Sequence, residues 1–430
     1  MHGMKKLLSL AAVFLLAAGA VLAAEKIPGR EENKKQETVF ASGDTLYFWY
    51  TDDALTDFLT NVSAAYYEES GNHVVPVLRS GLEYLEAVND ASVHPGEDTP
   101  QMPDLYVISN DSLEKAYLSG LAAEITDEGG VCNTDTFPQI ALDAVTYSGK
   151  YVAYPFYYET SAFLYNKTYM EEGEWPVPRT IDDILAFAEE YEAPEQVEAV
   201  FKWVVSDIFY NYYITGNYMI VGGEAGDDPA QLDIDNEKTR ECLHIYQNLN
   251  QFFSIDTKEE TYDTVLQDFI DGKIVMTVAT TGAVARLEEA KEAGQFPYEY
   301  GITVMPDLTA DLKSRSLSVT NGIVVNGYSE KAQIANDFAV FLTKNHADTL
   351  YEKTGKIASR YGVLYENRNV AEFMDEYENS ISMPKMLGAG NFWVQLEICF
   401  SRIWKGEEVE PLLSQLSQQM EKQLGQDCGV

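Results

Sequence analysis

Cysteine is scarce and scattered. Cys132, Cys242, Cys399 and Cys428 form no Cys-x-x-Cys pair, so neither a zinc site nor a thioredoxin-like centre has its ligands at workable spacing. In an oxidising compartment one disulfide among them stays open, set against isolated, mostly buried thiols. Histidine is as sparse: His2, His73, His94, His244 and His346 show no ligand spacing. No phosphate-binding loop, His-Glu-x-x-His or Gly-x-Ser-x-Gly pattern occurs. The stretch DIDNEK at 233–238 alternates oxygens as a calcium loop begins, but it lacks the glycine and closing glutamate that such a loop needs. No metal, cofactor or catalytic constellation is therefore expected. Basic residues are outnumbered, 30 Lys and Arg against 69 Asp and Glu, for a net charge of −39. Nucleic acid and anionic membrane surfaces are polyanionic, so that balance excludes them as partners. Repeats and low-complexity tracts are absent too.

What the chain does have is bulk. Its 430 residues, 46% hydrophobic and 23% charged, are enough for substantial cores in two or three domains. Aromatics reach 12%, led by 28 Tyr, a side chain that both stacks and hydrogen-bonds. Residues 1–24 read as an export signal: Lys5 and Lys6, then the apolar run LLSLAAVFLLAAGAVLA, then small residues at Ala20, Ala23 and Ala24. A membrane-spanning helix is the competing reading, and the run is marginal for the ~20 apolar residues that a span requires. No cysteine stands after it to accept a lipid. Residues 25–43 are polar and suit a flexible linker. The expected location is outside the cytoplasm, in a periplasm or on the outer face of the cell membrane. Mutual repulsion of so acidic a chain favours a monomer.

Strand and helix patterns alternate. TLYFWY (Thr45–Tyr50) reads as a strand, and Leu55, Phe58, Leu59, Val62 and Tyr66 follow at helical spacing. HVVPVL (73–78) and DLYVI (104–108) are further strands, with a loop at 91–103 marked by Pro95, Gly96 and Pro100. YVAYPFYYETSAFLYNK (151–167) is a long aromatic strand, and Thr180 begins a helix. The middle third is mostly helical in pattern. KIVMTVATTG (273–282), YGITVM (300–305) and GIVV (322–325) are buried strands, and the chain beyond 331 is largely helical. Such alternation predicts an α/β protein with a mixed sheet covered by helices.

The stretches PDLYVISNDSLEKAYLSGLAAEIT and ALDAVTYSGKYVAYPFYYETSAFLYNK resemble the maltose/maltodextrin-binding proteins, the sugar-capturing subunits of bacterial ABC importers. DFIDGKIVMTVATTG (268–282), YGITVMPDL (300–308) and SMPKMLGAGNFW (382–393) extend the resemblance in the same order over nearly all of the exported chain. It implies a two-lobed periplasmic-binding-protein fold, each lobe a mixed sheet flanked by helices. Residues 44–157 with 307–354 would form the N-terminal lobe, and 158–306 with 355–430 the C-terminal one. Hinge crossings would fall near 156–159, 304–307 and 354–358. The ligand would be an oligosaccharide in the interlobe cleft, delivered to a membrane permease.

Carried over position by position, the resemblance implies ligand-binding roles for Asp53 (with its neighbour Asp52), Asp111, Glu159, Tyr210 (with Phe209 or Tyr213 of the run FYNYY as alternatives) and Trp393. Carboxylates accept hydrogen bonds from sugar hydroxyls, and flat rings cover sugar faces. The chain also departs from the family pattern. Ile108 and Gly282 stand where the family has stacking tryptophans, Ala54 where a cation follows the first acid, and Ser112 where an arginine follows the second. These departures point away from maltose itself and toward another oligosaccharide. Two other functions remain open: a secreted glycan-cleaving enzyme, or the same fold holding a peptide, polyamine or metal complex.

Overall fold

The computed structural model describes residues 43–81, 83–94, 101–253, 255, 260–386 and 389–427. The export segment, the linker up to Ser42, residues 95–100 of the predicted loop and Cys428 lie outside them. Among the described residues, ten strands join in one mixed sheet. Thr45–Tyr50 runs parallel to His73–Leu78 on one side and Leu105–Ser109 on the other. The helix Thr56–Ser70 makes the first crossover and buries Phe58, Leu59, Val62 and Tyr66. Alternation along the strands decides what each face meets. Leu46, Phe48, Leu105, Val107 and Ile323 enter the main core, while Trp49, Tyr106, Ile108 and Val324 build a second one on the opposite face. This sheet is therefore covered on both sides.

The strand Tyr154–Asn166 ties the molecule together. Tyr154–Thr160 pairs antiparallel with Leu317–Val325, and Ser161–Tyr165 pairs antiparallel with Ile274–Thr280. Tyr300–Thr303 joins the second half and Ile357–Ala358 the first. The strand thus changes partners between Thr160 and Ser161, so one half belongs to each part of the sheet. Every residue in it is buried except Glu159 and Tyr165. Each of these two opens onto a cavity. Beside the exchange point, Tyr158 stacks on Tyr377 with ring centroids 3.9 Å apart and planes 6° from parallel. Tyr377 in turn shares a 2.5 Å hydrogen bond with Thr320. Its neighbour Glu376 is fully buried and accepts from the Met305 backbone N–H at 2.7 Å.

The helix expected from Thr180 is present as Ile181–Glu190, closed by a reciprocal cap between Thr180 and Asp183. The expectation of a mostly helical middle third needs correction. Helices do occupy Glu237–Phe253 and Tyr262–Ile270, but residues 199–233 form a short strand, two 3-10 turns and a hairpin. Gly222, Gly223 and Gly226 sit at φ of 83°, 70° and 67°, a backbone region that breaks any helix there. Asn211 then locks the aromatic run: it accepts from Trp203 Nε1 at 2.8 Å and donates to the Val204 and Asp207 carbonyls. Cys132, Cys242 and Cys399 are free and buried, and burial pushes all three thiols up.

Candidate functional site

The exposed edge of Glu159 opens into a cavity of about 560 Å³. Its wall brings together Glu159, Asp207, Phe209, Tyr210, Tyr262 and Lys356, with Thr280–Gly282 completing one side. A larger cavity, about 820 Å³, lies against residues 302–307, Arg179 and Arg315. Tyr165 is its lone aromatic and its rim is crowded with charges, including the Lys313–Asp307 ion pair. The smaller cavity combines paired aromatic faces with hydrogen-bonding groups, the pairing that a polyhydroxylated ring requires.

Glu159 and Lys356 of this wall join Asp52, from a third segment behind it, in one ionic cluster. Asp52 follows the strand Thr45–Tyr50 and caps the turn Asp53–Leu55, accepting from the Ala54 N–H at 3.0 Å. Glu159 comes from the long strand at its exchange of partners. Lys356 follows Gly355, whose φ of 71° ends the helix Ala347–Thr354 and turns the chain toward the cleft. The Lys356 ammonium lies 2.7 Å from Asp52 Oδ2 and 3.2 Å from Glu159 Oε1. It also sits 5.4 Å from the centre of the Tyr157 ring. Burial alone pushes the Asp52 carboxyl up, but hydrogen bonds from Lys356 and Ala54, with the Lys356 charge, hold it below its usual value. Burial likewise works to lower Lys356, and the two carboxylates outweigh it, raising the ammonium's pKa.

The aromatic wall is built from two elements. Asp207 caps the 3-10 turn Ile208–Tyr210 by accepting from the Phe209 N–H at 2.8 Å, and burial raises its carboxyl above the ordinary range. The Tyr210 ring lies parallel to that of Tyr262. The Tyr262 hydroxyl accepts from Thr280 N–H at 3.1 Å and from Thr280 Oγ1 at 3.0 Å, which fixes its ring.

Of the residues expected from sequence, the cavity wall contains Glu159 and Tyr210 and does not contain Asp53, Asp111 or Trp393. Asp53 is exposed and accepts from Thr56 Oγ1 at 3.0 Å; Asp52 is the member of that pair that meets Lys356. Asp111 is exposed in the turn after Leu105–Ser109 and accepts from Ser109 Oγ. Trp393 is half-buried, its ring edge-on to Tyr212 at 5.6 Å and to Phe392 at 5.2 Å. Sequence reasoning missed Lys356, Tyr262 and Asp207. Lys356 lies within the third expected hinge crossing, which was its one available signal. Tyr262 shares a cavity wall with Gly282, and Lys356 pairs with Asp52, the carboxylate that accepts from the Ala54 N–H. A ring and a cation therefore stand close to two of the positions where the family pattern was interrupted.

The family profile for bacterial extracellular solute-binding proteins matches residues 62–377. The chain belongs to this family. Among named relatives, this solute-binding protein is 26% identical over 215 residues to the maltotriose-binding protein of Pyrococcus abyssi, a match that covers 50% of this chain and 44% of that one. It therefore spans less than half the length of that relative. It is 23% identical over 353 residues to the galactooligosaccharide-binding protein of Bacillus subtilis, covering 80% of this chain and 79% of the other. Its fold is similar to that of an extracellular solute-binding protein from Staphylococcus aureus solved in complex with maltose, with a TM-score of 0.77 and 21% identity. That match covers 90% of this chain and 99% of that one. The two-lobed solute-binding fold expected from the sequence is thus the fold of this protein. No helix among its described residues is long and apolar enough to cross a membrane.

Proposed function

We propose that this solute-binding protein is an exported, non-catalytic monomer that captures an uncharged, maltodextrin-like oligosaccharide in its interlobe cleft and delivers it to the membrane permease of an ABC importer. One observation carries the reading: a parallel tyrosine pair and a carboxylate–ammonium cluster share one cavity wall. Rings would cover the apolar faces of the sugar while Glu159 and Lys356 met its hydroxyls. The names of the relatives support the same ligand class.

Residues 44–157 with 307–354 and residues 158–306 with 355–430 are taken as the two lobes, and the exchange of strand partners at Thr160 and Ser161 supports a crossing close to that boundary. Asp53, Asp111 and Trp393 are proposed to meet the ligand from outside the central wall, where a longer chain or a more closed cleft would reach them. Export rests on the apolar leader and on the family's extracellular character.

Glycan cleavage is the weaker reading. It calls for two carboxylates working as acid and as base or nucleophile across one bond. Here Glu159, one of the two acids in the cavity wall, is tied together with Asp52 to one ammonium. Titration calorimetry against maltodextrins and galactooligosaccharides, with chromatography of the recovered sugar, tests both readings. Saturable binding with the sugar returned intact is the expected result. Shortened products, or binding of another solute class in place of every sugar, would overturn the proposal.

A further inference from the structure

The Lys356 ammonium lies in the cavity wall and bridges two carboxylates that both keep contact with water. Its side chain retains 21% of its exposure, and those of its partners Asp52 and Glu159 retain 34% and 45%. Ion pairs open to water contribute little to net stability. Filling the cleft changes the balance. A bound ligand excludes water from these groups, and a carboxylate then buried without a partner carries a large desolvation penalty.

We propose that Lys356 is a specificity-determining residue of the cleft, whose ammonium, shared between Asp52 and Glu159, restricts the site to uncharged sugars and turns away both sugar acids and amino sugars. The inference rests on the sugar-binding reading above and deepens it. An ammonium has three N–H donors. Among the described residues, Asp52 and Glu159 take two of them, which leaves one for a ligand hydroxyl. A sugar acid meets a lysine already engaged by two carboxylates, with the Asp207 carboxylate in the same wall. It would have to free one carboxylate in order to gain another. An amino sugar meets carboxylates whose cationic partner is already in place. An uncharged sugar needs neither exchange, because hydroxyls donate to the outer oxygens of Glu159 and accept from the remaining N–H.

Titration calorimetry at neutral pH tests this with the full exported chain as wild type, Lys356→Met and Lys356→Arg. The probes are maltotriose, a galactotriose, trigalacturonate and a fully deacetylated glucosamine trimer. Wild type is expected to bind a neutral trisaccharide at least about tenfold more tightly than either charged trimer, a ratio equal to ~1.4 kcal/mol. Lys356→Met should weaken the neutral ligand about tenfold or more and move the preference toward the glucosamine trimer, whose ammonium groups replace the lost cation. Lys356→Arg should restore the neutral preference, since it returns the charge. A melting temperature within a few degrees of wild type separates these effects from misfolding. Should Lys356→Met not fold, Lys356→Gln carries the same comparison. Unchanged neutral affinity and unchanged charge ranking in the neutralised variant would overturn the role of Lys356 while leaving sugar binding intact. A wild type that binds no saccharide of any charge would instead overturn the sugar reading itself.

Discussion

Tyr210 lies flat against Tyr262, with ring centroids 5.1 Å apart and planes 10° from parallel. The two come from separate elements, a 3-10 turn and the first turn of a helix, and meet only in the folded chain. The pair makes one rigid aromatic wall in the cleft, so the two rings have separable contributions.

Tyr210→Ala removes the ring and is expected to weaken oligosaccharide binding about tenfold or more, from lost stacking and lost apolar contact. Tyr262→Phe keeps the ring but deletes the hydroxyl that accepts from Thr280 N–H and Oγ1. It should lower stability by ~1–3 kcal/mol, with a smaller loss of affinity than Tyr210→Ala. Calorimetry and thermal melts on the two variants check the ordering. Unchanged affinity in both variants would remove the aromatic pair from the site.

Glu159→Gln preserves shape and strand pairing while leaving Lys356 with Asp52 alone. Affinity for the neutral sugar should fall about tenfold, the loss of roughly one charge-assisted hydrogen bond, with an unchanged circular dichroism spectrum. An unchanged dissociation constant would take Glu159 out of the binding site.

Asn110 is fully buried directly before Asp111 and satisfies three groups at once. It donates to Ser382 Oγ at 3.0 Å and to the Met383 carbonyl at 2.6 Å, and accepts from the Thr320 N–H at 2.9 Å. Asn110→Ala leaves these groups unpaired in the interior and should cost about 2–4 kcal/mol, read as a lower urea midpoint at constant slope. A shift below ~1 kcal/mol would mean that water or rearrangement replaces the clamp.

Glu376 gives the stability a pH dependence. Burial pushes its carboxyl up to about 7 from an ordinary 4.5, against hydrogen bonds from the Ser316 side chain and from the Met305 and Ser316 backbone. The folded state therefore holds this proton more tightly than the unfolded chain does. Its contribution is complete below about pH 4.5, declines as pH rises toward 7 and is gone above it. The gap corresponds to on the order of 3 kcal/mol. Glu376→Gln should consequently gain on wild type as pH rises from 5 to 8, and parallel unfolding curves for the two proteins across that range would contradict this assignment.

Much of the fold was legible because its strands are continuous apolar runs: TLYFWY and YPFYYETSAFLYN carry their burial in their composition. The strand Leu317–Val325 was legible only over its last four residues. Its first half is rich in hydroxyls, and these are satisfied by tertiary partners: Ser318 accepts from Ser380, and Thr320 meets Tyr377. No local pattern announces such partners. The site divides in the same way. Glu159 lies in a stretch whose spelling resembles the family and Tyr210 at a position carried over from it, whereas Lys356 and Tyr262 matter through what folding places beside them. A cation next to Asp52 could not be found by reading the neighbours of Asp52, since it arrives from a helix end far along the chain.

Amide hydrogen exchange with and without a saturating neutral trisaccharide tests the central claim most directly, that this cleft closes on a sugar. Protection should concentrate in residues 156–160, 207–213, 262–264, 280–285 and 354–358, on both sides of the cavity. Protection confined to the wall around Arg179 and residues 302–307, or no change with any sugar offered, would contradict it.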